Sequence, residues 1–214
     1  MTLPAVSSDR VPAPAATPGL AATRPGAIIL TRHGEPALSR KCTLTAQEYG
    51  DWWGRYEIGG LLAGQTPPPE LLETARGAGA IYSSTRLRAQ ESAAAAAAGR
   101  DLTVDSMFIE APLPPPPFPA WIRLSPKSWG GVSRFWWHFF NNHGGQETRA
   151  EAEVRAEAVA HLLIARAAEG KDVLVFAHGY FNHMVGACLK ADGWSLVDNQ
   201  GFKYWSQRRY EKRG

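Results

Sequence analysis

Two histidines stand in matching surroundings in this sequence. Leu30-Thr31-Arg32-His33-Gly34-Glu35 and Ala177-His178-Gly179 each set a histidine between a short apolar run and a glycine. A neutral imidazole serves as nucleophile, acid or base. Arg32 beside His33 adds a planar fork that matches phosphate or carboxylate oxygens. The glycines let the chain turn and let a ligand approach the backbone. A third segment, Ser83-Ser84-Thr85-Arg86-Leu87-Arg88-Ala89-Gln90-Glu91-Ser92-Ala93, puts Arg86 and Arg88 at the start of a helical stretch, where the helix N-terminus already favours anions. Either histidine alone reads as structural. The pair, with three arginines at the same sheet edge, reads as a phosphate pocket.

The elements that must position these residues are short. Ala27 to Thr31, Asp172 to Ala177 and Ala80 to Tyr82 have the apolar, β-branched look of buried parallel strands, and Leu102 to Ile109 is a fourth candidate. Helices are expected at Arg86 to Ala98, ending at Gly99, at Glu147 to Ala168, and from Phe181 to Leu189. In the second of these Val154, Ala158, Leu162 and Ala165 form the expected apolar stripe. Strand and helix alternate, so the expected fold is α/β, a three-layer sandwich with a mostly parallel central sheet and helices on both faces. In such sheets ligands bind beyond the carboxyl ends of the strands, where both histidines fall.

Two stretches stand outside the alternation. Residues 1–26 are rich in Ala and Pro, lack periodicity and read as a flexible extension to a domain spanning 27–214. Residues 111–146 hold six prolines between 112 and 119 and seven aromatics from Trp121 to Phe140. This reads as an irregular insertion with its own aromatic cluster, either a cover over the core or a wall of the substrate pocket.

Composition excludes several classes. At 214 residues, 44% apolar and 20% charged, the chain is globular and suits one α/β domain. A net charge of +3 is too slight to imply nucleic acid or membrane as partner, and the basic end, Arg208, Arg209, Lys212 and Arg213, reads as a solvated tail. Cys42 and Cys188 lie far apart, which excludes a disulfide scaffold and a cysteine zinc site and fits a cytoplasmic location. No apolar run spans a bilayer, and no secretory signal is visible. His138, His143, His161 and His183 read as structural or surface residues.

The motifs together resemble the histidine phosphatase superfamily, with its phosphoglycerate mutase-like fold. Arg32-His33-Gly34-Glu35 resembles the family signature. Ser83-Ser84, Arg88-Ala89 and Glu91-Ser92-Ala93 resemble its second motif, with Arg86 where leucine is usual. Phe108-Ile109-Glu110-Ala111-Pro112 resembles the segment of the proton donor, Val173 to Gly179 the strand of the second histidine, and Gly144 to Thr148 the loop before a long helix. The resemblance covers roughly residues 27–205. It implies that His33 is the nucleophile and forms a phosphohistidine, that Arg32, Arg88 and His178 bind the phosphoryl oxygens, and that Glu110 is the acid and base. Arg86 and Glu35 are further candidates to meet substrate, Glu35 also as a competitor for the acid. The implied activity is metal- and cofactor-independent hydrolysis of a small phosphorylated substrate. Alternatives are a phosphoglycerate mutase-type phosphotransferase, a phosphohistidine-protein phosphatase and a non-catalytic phospholigand-binding module. The sequence points to no particular oligomeric state.

Overall fold

The computed structural model describes residues 24–213. The expected extension over residues 1–26 therefore lies, up to residue 23, outside the described residues. From there Gly26 is already docked, its N–H donating to the Ala167 carbonyl at 2.9 Å.

In chain order the elements are β1 (Ile28–Arg32), α1 (Ala46–Ile58), α2 (Pro69–Gly77), β2 (Ala80–Ser84), α3 (Leu87–Ala97), β3 (Thr103–Asp105), α4 (Pro126–Phe140), α5 (Arg149–Ala167), β4 (Val173–Ala177), α6 (Gly179–Ala191), β5 (Trp194–Asn199) and β6 (Gln207–Lys212). They build a six-stranded sheet of order β3-β2-β4-β1-β6-β5. β1 to β4 run parallel, and β6 returns antiparallel to β1. Successive strand residues point to opposite faces. Ile28, Leu30, Val173 and Val175 thus meet α5 and α6 on one face, whereas Ile29, Ile81, Leu174 and Phe176 meet α2 and α3 on the other. The fold is the expected three-layer α/β sandwich. Among the described residues no helix is long and apolar enough to cross a membrane.

Four details differ from the sequence reading. α5 buries Ala152, Ala156, Val159, Ala160, Leu163 and Ala167. Val154, on the expected stripe, is 67% exposed and Leu162 36%. Small alanines let the helix seat close on the sheet, and that closeness selects the face. The basic C-terminus is no solvated tail: residues from Gln207 pair with β1, and Arg208 is buried. The candidate fourth strand is three residues long and passes into a 3₁₀ turn, Ser106–Phe108. The Pro- and aromatic-rich stretch is extended at first and then forms the 15-residue α4, with Ser125 as N-cap and Pro126 at its first turn.

The stretch does form the expected aromatic cluster, with Phe118, Phe135, Trp136, Phe139 and Phe140 in ring contact, and the cluster also reaches beyond it. Trp129 of α4 packs with Tyr49, Trp52 and Tyr56 of α1. α1 opens with a capping box from Thr45 and Glu48. Its aromatics at 49, 52, 53 and 56 follow helical spacing and face α4 and the sheet edge. α1 and α4 form a cap over the carboxyl ends of β1 and β4.

Candidate active site

Strand register brings the two histidines together. Arg32 pairs with Ala177 across β1 and β4, and the His33 N–H donates to the Ala177 carbonyl at 3.1 Å. The rings of His33 and His178 lie 5.2 Å apart, edge to face. Both are buried. Burial first, and Arg88 second, holds each imidazole well below the usual histidine range, so both are neutral near pH 7.

Neighbours fix each tautomer. His33 Nδ1 lies 2.6 Å from the Gly34 carbonyl, which only accepts, so the proton sits on Nδ1. Nε2 is left with its lone pair and receives the Arg88 Nε–H at 3.3 Å. His178 Nδ1 faces Arg88 Nη2 at 3.4 Å and must accept, so its Nε2–H donates to Ser84 Oγ at 2.9 Å. Ser84 stands at the end of β2, within the second motif, and orients His178.

Arg88 is 1% exposed and held on every side. Its Nη1 donates to the Tyr56 carbonyl at 2.8 Å, and its Nη2 to Glu57 Oε1 at 2.8 Å. Glu57 also pairs with Arg86 at 2.6 Å. Arg32 donates to the Phe202 carbonyl and lies 4.5 Å from the centre of the Tyr204 ring, while its buried Nε has no partner.

Glu110 reaches the same cavity from the segment after the 3₁₀ turn. Its Oε1 accepts from the Phe181 and Ala111 N–H groups at 2.8 and 3.1 Å, and its Oε2 from the Tyr180 N–H at 3.2 Å. The carboxyl group thereby caps the N-terminus of α6. Two arginines hold its segment: Arg155 donates to the Met107 and Ile109 carbonyls at 2.7 and 3.0 Å, and Arg134 to the Ala111 carbonyl at 2.9 Å.

Arg32, His33, Arg88, Glu110 and His178 all line one cavity of about 140 Å³. Two expected residues do not. Arg86 points into a neighbouring groove that shares Trp53 and Glu110 with the cavity, because its pairing with Glu57 draws it aside. Glu35 is exposed, and its backbone ties to Gln65 and Leu62 instead. The cap adds Tyr49, Trp52, Trp53, Tyr56 and Lys127 to the lining, and the segment before α1 adds Arg40. The α1 aromatics carried a signal in their 0, 3, 4, 7 spacing. Glu57, Arg40 and Lys127 carried none.

Gly34 has a packing role that the sequence did not show: a Cβ there would lie 2.4 Å from Cζ2 of Trp205, so glycine makes room for the indole. Among the described residues no three His, Cys, Asp or Glu side chains converge as a metal site.

The fold has counterparts of known structure. The open reading frame Rv3214 product of Mycobacterium tuberculosis superposes with a TM-score of 0.56 at 18% identity, over 88% of this chain and 97% of that one. Mycobacterial glucosyl-3-phosphoglycerate phosphatase Rv2419c, complexed with VO3, gives 0.55 at 17% identity over 86% and 92%. Ecdysone phosphate phosphatase of Bombix mori, in complex with tungstate, gives 0.51 at 14% over 88% and 92%. At these identities the likeness concerns the fold. No curated protein matches the sequence significantly. The sequence profile of the histidine phosphatase superfamily (branch 1) matches residues 70–203, more than half of the chain, including Arg88, Glu110 and His178. The chain belongs to the histidine phosphatase superfamily, branch 1.

Proposed function

We propose that the protein is a metal-independent phosphatase that hydrolyses a small phosphomonoester through a phosphohistidine on His33. The observation that carries this reading is the state of His33: neutral, with Nδ1–H held by the Gly34 carbonyl and Nε2 aimed at the arginine-lined cavity. Family membership and the likeness to phosphatase structures support it.

In the first step the phosphoryl oxygens replace His33 Nε2 as acceptor of the Arg88 Nε–H and are received by Arg88 and Arg32, with His178 alongside. His33 Nε2 attacks phosphorus as the bond to the ester oxygen breaks, and Glu110 gives that oxygen a proton. The ring now carries a positive charge, which the Gly34 carbonyl stabilises through Nδ1–H. In the second step ionised Glu110 takes a proton from water, the new oxygen bonds to phosphorus, and His33 leaves with its original tautomer. Splitting one displacement into two lowers each barrier. Fixed arginines stabilise the charge spread over the oxygens, the part a metal ion plays in other phosphatases.

Brief incubation with a labelled phosphomonoester tests the nucleophile. Wild-type protein should retain acid-labile phosphate, and His33→Ala, folded by circular dichroism, should retain none. Label persisting in the variant overturns the assignment.

A further inference from the structure

The cavity holds cationic side chains beyond the two arginines assigned to the phosphoryl group. Arg32, Arg40, Arg88 and Lys127 line it, and Glu110 is the one carboxylate among its lining. Glu57 neutralises Arg88. Among the described residues Arg32, Arg40 and Lys127 form no ion pair. Arg32 and Arg88 are taken up by the phosphoryl group, which leaves Arg40 and Lys127.

Geometry puts the surplus beside the phosphoryl site. The guanidinium carbons of Arg88 and Arg40 lie against the same Tyr56 ring, 4.5 and 5.2 Å from its centre. Those of Arg32 and Arg40 lie 4.5 and 5.7 Å from the centre of the Tyr204 ring. Arg40 donates to the Tyr56 hydroxyl at 2.8 Å and is half-buried. It therefore stands one aromatic ring away from each phosphoryl-binding arginine, on the cap side. Lys127, in the first turn of α4, faces the same space. A second observation is independent of charge: the hydroxyl of Tyr49, a fully buried residue of the lining, has no hydrogen-bond partner. An unmet buried hydroxyl in a cavity wall awaits a polar ligand atom.

We propose that the substrate carries a second anionic group, a carboxylate or a second phosphoryl, which Arg40 and Lys127 bind with the Tyr49 hydroxyl while Arg32 and Arg88 hold the first phosphoryl group. This rests on the reading of the His33 cavity as the phosphoryl site. A volume of about 140 Å³, well below the roughly 300–1,000 Å³ of pockets for larger ligands, limits the spacer between the two anions to a few atoms.

Calorimetry with phosphonates, which cannot be hydrolysed, tests binding apart from turnover. Phosphonoacetate, or methylenediphosphonate, should bind about tenfold or more tightly than ethylphosphonate at equal ionic strength. The tighter of the first two identifies the second group as carboxylate or phosphoryl. Arg40→Gln and Lys127→Gln should each reduce that preference several-fold, and Arg40→Lys should retain most of it. Melting curves verify folding, and Lys127→Gln, at an exposed position, carries the test if Arg40→Gln does not fold. Equal affinities in the wild type, or a preference that survives both Gln substitutions, overturn the proposal. Hydrolysis of p-nitrophenyl phosphate is followed in parallel. Turnover with equal phosphonate affinities refutes the second-anion site alone. An intact preference without turnover refutes the phosphatase reading alone.

Discussion

Replacing Gly34 by alanine should destabilise the protein through Trp205. The new Cβ would stand 2.4 Å from Cζ2 and 2.5 Å from Cε2 of the indole. Carbon atoms rest at about 3.5–4.0 Å, so ring or strand end must retreat by about 1 Å. The ring is poorly free to do so. Trp205 sits at φ 63°. Its N–H donates to the Arg32 carbonyl at 3.1 Å, and its Nε1–H to Gln65 Oε1 at 3.1 Å. Overpacking of this kind costs about 1–3 kcal/mol, and losing the Gln65 bond adds about 1 kcal/mol. The expected loss is therefore about 2–4 kcal/mol, read as a fall in the urea midpoint by circular dichroism. Activity should drop with it, because His33 is the adjacent residue. Trp205→Leu removes the obstructing ring, so in that background Gly34→Ala should cost under about 1 kcal/mol. The same loss in both backgrounds would refute the steric argument, as would a loss below about 0.5 kcal/mol in the wild type.

Glu110→Gln should slow the first step on alkyl phosphates by about 10²–10⁴-fold and spare it on p-nitrophenyl phosphate, whose leaving oxygen needs no proton; equal loss of that first step, read as the burst, on both substrates removes Glu110 as the acid. Activity should persist in excess EDTA, since the arginines supply the positive charge; loss on chelation with recovery on adding a divalent ion refutes the mechanism. Burial keeps His33 and His178 neutral in the folded protein, whereas in the unfolded chain they protonate near pH 6.5. Below that pH the unfolded state binds more protons, so stability should be level above about pH 7 and fall from pH 6.5 towards 5, by up to about 1.4 kcal/mol per unit for each histidine. His178→Gln should flatten this slope, and an unchanged slope in urea titrations at several pH values would contradict it.

The parts of this protein legible in its sequence are those whose chemistry is local. β1 and β4 lie in the middle of the sheet, covered on both faces, so they must be continuous apolar runs. The first polar residues past their carboxyl ends, His33 and His178 among them, then stand where such a sheet binds its ligands. The start of α3 carries Arg88 for the same local reason. α5 shows where locality fails. Alanine recurs all round it, and two stripes look alike until close seating on the sheet chooses Ala152, Ala156 and Ala160. β6 looks like a charged tail because its place beside β1 rests on backbone hydrogen bonds, which any side chains allow. Its charge is met from afar: Arg209 pairs with Asp172 as well as with Glu211. Glu57 acquires meaning only when α1 folds over the sheet edge and brings it against Arg88, and Arg40 only when the segment before α1 sets it against the Tyr56 ring. A buried guanidinium needs a partner, but nothing in the chain around Arg88 says which of the distant carboxylates will supply it. The nucleophile and its strand are thus written locally; the company that sets its tautomer, its charge and the space before it is assembled only by tertiary contact.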